Sequence, residues 1–378
     1  MRLRTTATLA YLLAFVAMGV STMLLGPSID ALRHSVHATP ASIGILFTAS
    51  SIGYLIGVAL AGQLIVAHSG HAVLRFGLVV MATSVVALPF GRSLPTLFAL
   101  QIAIGFGIGC IEIPCNSLVL WASGGGAALN ALHASFALGA VCAPLLVGRS
   151  LAWTDGLKTG YVVAAAVALV PLVCLGRRPS PPNPHKAHGR GIPGGARLLT
   201  ALGAIWFFAY VGVEVSFAGW IYKYAQAHHV ANAQQSTFVG AGFLAAFAVG
   251  RVAGVPIARR WSAIQMLAID HVLAALALGG LLVGGNNAVI IWSATIVFGL
   301  GVASMFAAML SLSDHLVPAT GTITSVYLVG SSFGAMLLPS TMGGLIERFG
   351  AIALPIECLI GLALTASAVI AFQRIGAR

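Results

Sequence analysis

Residues 96–121 read "TLFALQIAIGFGIGCIEIPCNSLVLW", 26 residues without a basic side chain and with a single acid, Glu112. A stretch of ~20 apolar residues is long enough to cross the hydrocarbon core as a helix. Comparable runs recur along all 378 residues, 59% of which are hydrophobic and 7% charged. Soluble domains carry about 25% charged residues, so this chain cannot clothe itself in a hydrated surface. The runs are continuous rather than alternating over about ten residues, which excludes a β-barrel. The expected fold is an all-α membrane protein.

Twelve spans are expected, at 6–32, 41–67, 73–91, 95–121, 126–149, 158–176, 197–225, 235–258, 263–284, 287–311, 319–345 and 351–373. The basic stretch before the first apolar run resembles a signal peptide, but the run continues to Pro27 without a small-residue cleavage site, so it reads as a retained helix. The one substantial polar interruption is "GRRPSPPNPHKAHGRGIPGGAR", rich in Pro, Gly and basic residues, a linker by composition. It divides the chain into two six-helix bundles, 1–176 and 197–378, joined by a cytoplasmic linker at 177–196. Loop Lys and Arg, with Arg2, Arg4, Arg75, Arg177, Arg178 and Arg197 on one side, place both termini and the linker in the cytoplasm. Basic residues exceed acidic ones by nineteen to eight. That excess marks cytoplasmic ends; no basic face interleaved with aromatics suggests nucleic acid.

The halves resemble each other. "FVAMGVSTMLLGP" (Phe15–Pro27) and "FAYVGVEVSFAGW" (Phe208–Trp220) share Phe, two Gly and Val in register, and "GFGIG" in span four parallels "FGLG" in span ten. Parallel six-helix repeats describe one transporter architecture, with its site near the midplane between them.

An ionisable residue inside the membrane is a functional candidate, because it faces the bundle interior or water. Gly105, Gly109, Glu112 and Asn116 follow helical spacing on one face. The glycines permit close approach by a neighbour or a ligand. Span five carries Asn130 and His133 on one face, and the short Gly-rich connection makes spans four and five antiparallel. Glu112 and His133 then lie at similar depths, within reach of a hydrogen bond. A carboxyl that alternates between water and lipid depth can pick up and release a proton. Span seven presents Trp206, Tyr210, Glu214 and Phe217, an aromatic face around one acid suited to a hydroxylated solute. Trp220, Tyr222 and Tyr224 read as an interfacial aromatic belt. Asp270 is expected to pair with Arg259 or Arg260, Glu357 with an outer basic group, and Arg251 to snorkel or pair on the cytoplasmic side. Tyr327, with Ser331 and Ser332, is a cavity-lining candidate. The five cysteines lie in apolar segments without metal-type spacing, and no metal or cofactor site is expected.

Two six-helix halves with a cytoplasmic linker resemble the major facilitator superfamily. Within it, "GFGIGCIEIPCNSLV" resembles the fourth helix of the fucose permease and glucose/galactose permease branch, of form GxGxxETxxNP, with Glu112 and Asn116 on its Glu and Asn. "NALHASFALGAVCAPLL" resembles the following helix, and "YVGVEVSFAGW" span seven of related sugar permeases and sodium-glucose transporter-like members. The resemblance implies that Glu112 binds sugar and takes part in proton coupling. It also implies a second acid on helix one, which this chain lacks: Met23 stands nearest that position. The loop motif GxxxDRxGRR is eroded in "GQLIVAHSGHAVLR" and "GVPIARRWS".

These readings give a secondary active transporter, not an enzyme, moving a small polar solute such as a sugar by alternating access. The coupling ion is a proton or sodium, and the protein a monomer in a bacterial inner membrane. Glu112 and Glu214 are the proton-coupling candidates; Asn116, Asn130, His133, Tyr210, Phe217 and Tyr327 complete the solute site. The alternatives are an exporter of amphipathic drugs or metabolites and a non-transporting receptor.

Overall fold

The computed structural model describes residues 6–123, 126–153, 156–181, 196–284, 286–316 and 321–376. Its contacts divide into two units, Met1–Lys186 with Ala233–Ala241, and Ala187–Asn232 with Gly242–Arg378. Eleven of its helices are long and apolar enough to cross a membrane, or twelve if one bent pair counts as a single span. The linker expected at 177–196 lies largely outside the described residues.

In unit 1 the helices are α1 (Thr6–Met23), α2 (Leu25–Ser35), α3 (Pro40–Ile43), α4 (Ile45–Ala67), α5 (Gly70–Ala87), α6 (Leu94–Ser123), α7 (Gly126–Leu151) and α8 (Lys158–Leu175). The first span, expected as one helix over 6–32, is broken: α1 and α2 meet at Leu24 with a bend of 46°. Pro27 supplies the cause. It has no N–H to give to the Met23 carbonyl, and its ring crowds that same carbonyl four residues back. The start of α5 is tied to the segment after α8. Tyr11 Oη lies 2.6 Å from His71 Nε2, and His71 Nδ1 lies 3.0 Å from the Arg178 carbonyl oxygen. A carbonyl only accepts, so Nδ1 carries the proton and the neutral ring accepts from Tyr11 at Nε2.

In unit 2, α9 (Arg197–Ala227) is followed by the remainder of α10 (Ala233–Ile257), then α11 (Ala263–Val283), α12 (Ala288–Ala303), α13 (Met305–Leu316), α14 (Gly321–Phe349) and α15 (Ala353–Gly376). Helices start where caps allow. Ser262 and Gln265 form a reciprocal capping box at α11, and Asn287 accepts from the Val289 and Ile290 amides at α12. Span ten is α12 and α13 together, interrupted at Ser304.

The same helix pairs recur in both units. In unit 1, α1 packs on α7 and α8, α6 on α4 and α5, and α5 on α8. In unit 2, α9 packs on α14 and α15, α12 on α11, and α11 on α15; a Cβ on Gly299 would lie 2.7 Å from the Phe243 carbonyl oxygen, which places α12 against α10 as well. The duplication proposed from short phrases is therefore repeated in the packing. One register needs correction. Gly107 faces α5 at Met81, whereas Gly299 faces α10 and Gly301 faces α11 at Ala274. The counterpart of Gly107 is thus Gly301, two residues beyond the match suggested by the phrase. At that register Phe306 stands where unit 1 has Glu112.

Candidate transport site

In unit 1 the site begins at a seam between two backbones. A Cβ on Gly105 would stand 1.9 Å from the Ser50 carbonyl oxygen, and one on Gly53 would stand 1.9 Å from the Ile102 carbonyl oxygen. Only hydrogen fits there, so α4 and α6 touch directly. Gly109 meets the Tyr54 carbonyl oxygen on the same seam. The glycine face expected to line a cavity is therefore a helix contact over this length. Glu112 follows about one turn later and is half-buried. Its carboxylate accepts from the Tyr54 hydroxyl.

Tyr54 was not evident in the sequence reading. The signal was present in "SIGYLIG", where Gly53 and Gly57 flank the tyrosine on the face that meets span four. Pro114 lies between Glu112 and Asn116 inside α6, and has no N–H for the Cys110 carbonyl. Asn116 projects from the next turn. Its Oδ1 is enclosed and has no hydrogen-bond partner among the described residues. A buried acceptor left unpaired costs about 1–3 kcal/mol, which favours a ligand that brings a donor. Asn130 falls in α7 by backbone, but its side chain lies outside the described residues. His133 is exposed on α7 and meets the Phe15 ring edge-on, with centroids 5.7 Å apart. Spans four and five were expected to share a face because their connection is short. Instead α7 seats mainly on α1, where Gly139 approaches the Val16 carbonyl oxygen, and α6 seats mainly on α4 and α5. The glycine seams decide the partners, and the carboxylate finds Tyr54.

Loss of the Tyr54 hydroxyl removes the donor that orients Glu112. A hydrogen bond to a charged group contributes about 1.5–3 kcal/mol. Tyr54→Phe is thus expected to weaken the apparent affinity for the transported solute about tenfold or more, with only a small fall in melting temperature; uptake kinetics measure the first and thermal unfolding the second.

In unit 2, Tyr210 is 2% exposed and stacked on Trp206, with centroids 5.0 Å apart and planes at 11°. Its hydroxyl donates to the Val302 carbonyl oxygen at 2.9 Å, with the Glu214 carboxyl and the Arg251 guanidinium close by. Arg251 faces the Glu214 carboxylate with opposite charge, and its guanidinium lies 4.3 Å from the Phe247 ring centroid. Arg251, expected to snorkel or pair on the cytoplasmic side, is exposed and stands near Glu214 without a salt bridge to it.

Other expectations are corrected here. Phe217 is wholly buried, 4.1 Å from the Phe298 centroid and 5.0 Å from that of Phe243, so its ring is core packing. Tyr327 is also core. It stacks on Phe207, lies over Gly203, and its hydroxyl is 2.6 Å from Ser313 Oγ. Trp220, Tyr222 and Tyr224 are buried rather than set in an interfacial belt. Trp220 Nε1 donates to the Pro339 carbonyl oxygen at 2.9 Å and Tyr224 donates to that of Leu281. Asp270 accepts from the Ser304 hydroxyl rather than pairing with Arg259 or Arg260. Glu357 accepts from Ser216 at 3.4 Å, not from a basic group. Trp220, Tyr224, Tyr327, Asp270 and Glu357 each turn inward, toward a backbone carbonyl or a hydroxyl of another segment.

Two repeats of six apolar helices, each with a half-buried acid beside a tyrosine, define a membrane carrier. A sequence profile of the Major Facilitator Superfamily matches residues 10–339, and the chain belongs to that superfamily. It is a transporter and not an enzyme. The chain is 24% identical to mouse sodium-dependent glucose transporter 1A over 370 residues, 87% of each chain. It is 25% identical to the Xenopus laevis sodium-dependent glucose transporter 1 over 359 residues, 86% of this chain and 73% of that one. The fold is similar to that of the nucleoside transporter NupG, with a TM-score of 0.75, 14% identity and 99% of both chains covered.

Proposed function

We propose that this protein is a secondary active transporter of a small hydroxylated solute, with a hexose as the first candidate. It works by alternating access and is coupled to a cation gradient through Glu112. The observation that carries the reading is the α6 face. A carboxylate oriented by Tyr54 and an enclosed, unpaired amide oxygen on Asn116 stand one turn apart, two acceptors for the hydroxyls of one solute. The names of the glucose-transporting relatives support the same class. His133 is assigned to the rim of this site and Glu214 with Arg251 to the coupling machinery of unit 2, while Asn130 stays a solute-site candidate on its sequence position alone. Phe217 and Tyr327 support the site by packing. We read the carrier as residing in a bacterial inner membrane, with cytoplasmic termini.

The coupling ion is assigned as a proton, because both candidate acids stand beside neutral tyrosine hydroxyls, with which a protonated carboxyl can share a hydrogen bond. Sodium is the second reading, favoured by the sodium dependence in the relatives' names. Purified protein in proteoliposomes, offered labelled glucose under an imposed inward proton or sodium gradient, separates the two. Accumulation under the proton gradient, collapsed by an ionophore, is expected. Accumulation under sodium alone would replace the proton assignment, and no glucose uptake under either gradient would remove glucose as the solute.

A further inference from the structure

Tyr210 has one phenolic proton and two acceptors that can claim it. In the structure the proton goes to the Val302 carbonyl oxygen, 2.9 Å away and buried. The Glu214 carboxyl, one turn along α9, stands beside the same hydroxyl. A hydroxyl donates once but accepts through two lone pairs. While Tyr210 donates to Val302, its oxygen can receive the proton of a neutral Glu214 and an N–H of Arg251. An ionised Glu214 has no proton to offer and only accepts, so it competes with Val302 for the phenolic hydrogen. The two arrangements exclude each other.

Val302 is a consequential place for such a bond. It is the penultimate residue of α12, and the helix resumes as α13 only after Ser304. The carbonyls at a helix end lack intrahelical partners, and here the partner comes from α9. On the other side of the break the Ser304 hydroxyl is held by Asp270 of α11. The interruption in span ten is thus tied to two neighbouring helices, and one tie runs through the hydroxyl beside Glu214. The Tyr210 ring has little freedom to leave: Trp206 stacks on it and Phe306 of α13 lies 6.2 Å away, centroid to centroid. The charged and titratable groups facing Glu214 are Tyr210 from its own helix and Arg251 from α10. Glu357 of α15 is turned to Ser216, and Asp270 of α11 to Ser304.

We propose that Tyr210 is a positioning residue that acts as a hydrogen-bond switch, giving its proton to Val302 when Glu214 is neutral and to Glu214 when that acid is ionised. Protonation of the acid is thereby transmitted to the break between α12 and α13. The inference rests on the reading of Glu214 as a coupling acid. It also reassigns Tyr210 from solute contact to transmission. No bond to solute is involved; the proton on Glu214 comes from the bulk phase, and only the direction of the phenolic O–H changes.

Hydrogen–deuterium exchange of the purified full chain, read on peptides covering residues 299–309 and corrected for intrinsic rates, tests this without a solute. The wild type is expected to exchange about fivefold faster in alkaline than in acid buffer, the loss of one neutral hydrogen bond. Glu214→Gln, which keeps a donor toward the phenol oxygen and never ionises, is expected to stay slow in both buffers. Tyr210→Phe is expected to be fast in both. A wild type without buffer dependence overturns the switch. A buffer dependence that survives in Tyr210→Phe but not in Glu214→Gln overturns the role of Tyr210 alone. One that survives in Glu214→Gln overturns Glu214 as the coupling acid. If Tyr210→Phe does not fold, the wild type and Glu214→Gln decide: protection fixed at the acid value supports the switch, and retained dependence overturns it.

Discussion

Glu112→Gln is expected to abolish gradient-driven accumulation and leave only equilibration of the solute across the membrane. Glutamine keeps the length and shape of the side chain and an oxygen that accepts from Tyr54, so α4 and α6 lose no contact. It also keeps an acceptor for the solute. What it cannot do is take up and release a proton, which the proposed coupling requires. Solute exchange between the two sides, driven by solute alone, should persist at a reduced affinity, and the melting temperature should match the wild type. Proteoliposomes loaded with unlabelled solute measure exchange, and an imposed proton gradient measures accumulation. Full accumulation in the variant would show that Glu112 binds but does not couple.

The second large effect is on folding. Gly105→Val should prevent α4 and α6 from forming their seam, because the first added carbon would lie 1.9 Å from the Ser50 carbonyl oxygen. The obstacle is backbone on a rigid helix, so no side chain can rotate away. Overpacking of a core costs typically 1–3 kcal/mol and occasionally more. A backbone collision belongs at the upper end, about 3 kcal/mol or above. The result expected is loss of the monodisperse species in size-exclusion chromatography, or a large fall in melting temperature. Gly279→Ala is the control. Nothing lies within 4 Å of the added carbon, and alanine suits a helix interior better than glycine by about 1 kcal/mol. It should leave the melting temperature unchanged or slightly raised. Equal damage from both substitutions would show that the seam is not what Gly105 is for.

The architecture was legible because hydrocarbon imposes so severe a filter. Length and apolarity alone located the spans, and the Glu112 to Asn116 spacing placed both polar groups on one face. Chain order, by contrast, does not say which helices touch. Spans four and five are joined by a few residues, yet α6 lies mainly against α4 and α5. The decisive marks were Gly53 and Gly57, which in a chain with 45 glycines did not stand out. The break at Leu24 was readable in retrospect from Pro27. The break at Ser304 contains no proline and becomes intelligible only with Asp270 and Tyr210 in place. Aromatic residues misled most. Composition made Trp220, Tyr222 and Tyr224 candidates for the water interface, but all three are buried, and Trp220 and Tyr224 spend their polar tips on carbonyls of neighbouring helices. Arg251 was undervalued for a similar reason, since proximity between residues 37 apart on two helices leaves no local pattern.

The contact of bare backbones between α4 and α6 also has a mechanical meaning. Layers of side chains give a helix pair compliance, because rotamers can exchange as the rods slide. Where two main chains abut there is nothing to reshuffle, and the pair behaves as one stiff beam. Glu112 and Tyr54 are mounted on that beam from opposite sides. Their separation is therefore set by the packing of two rigid main chains, not by the rotamers of intervening side chains.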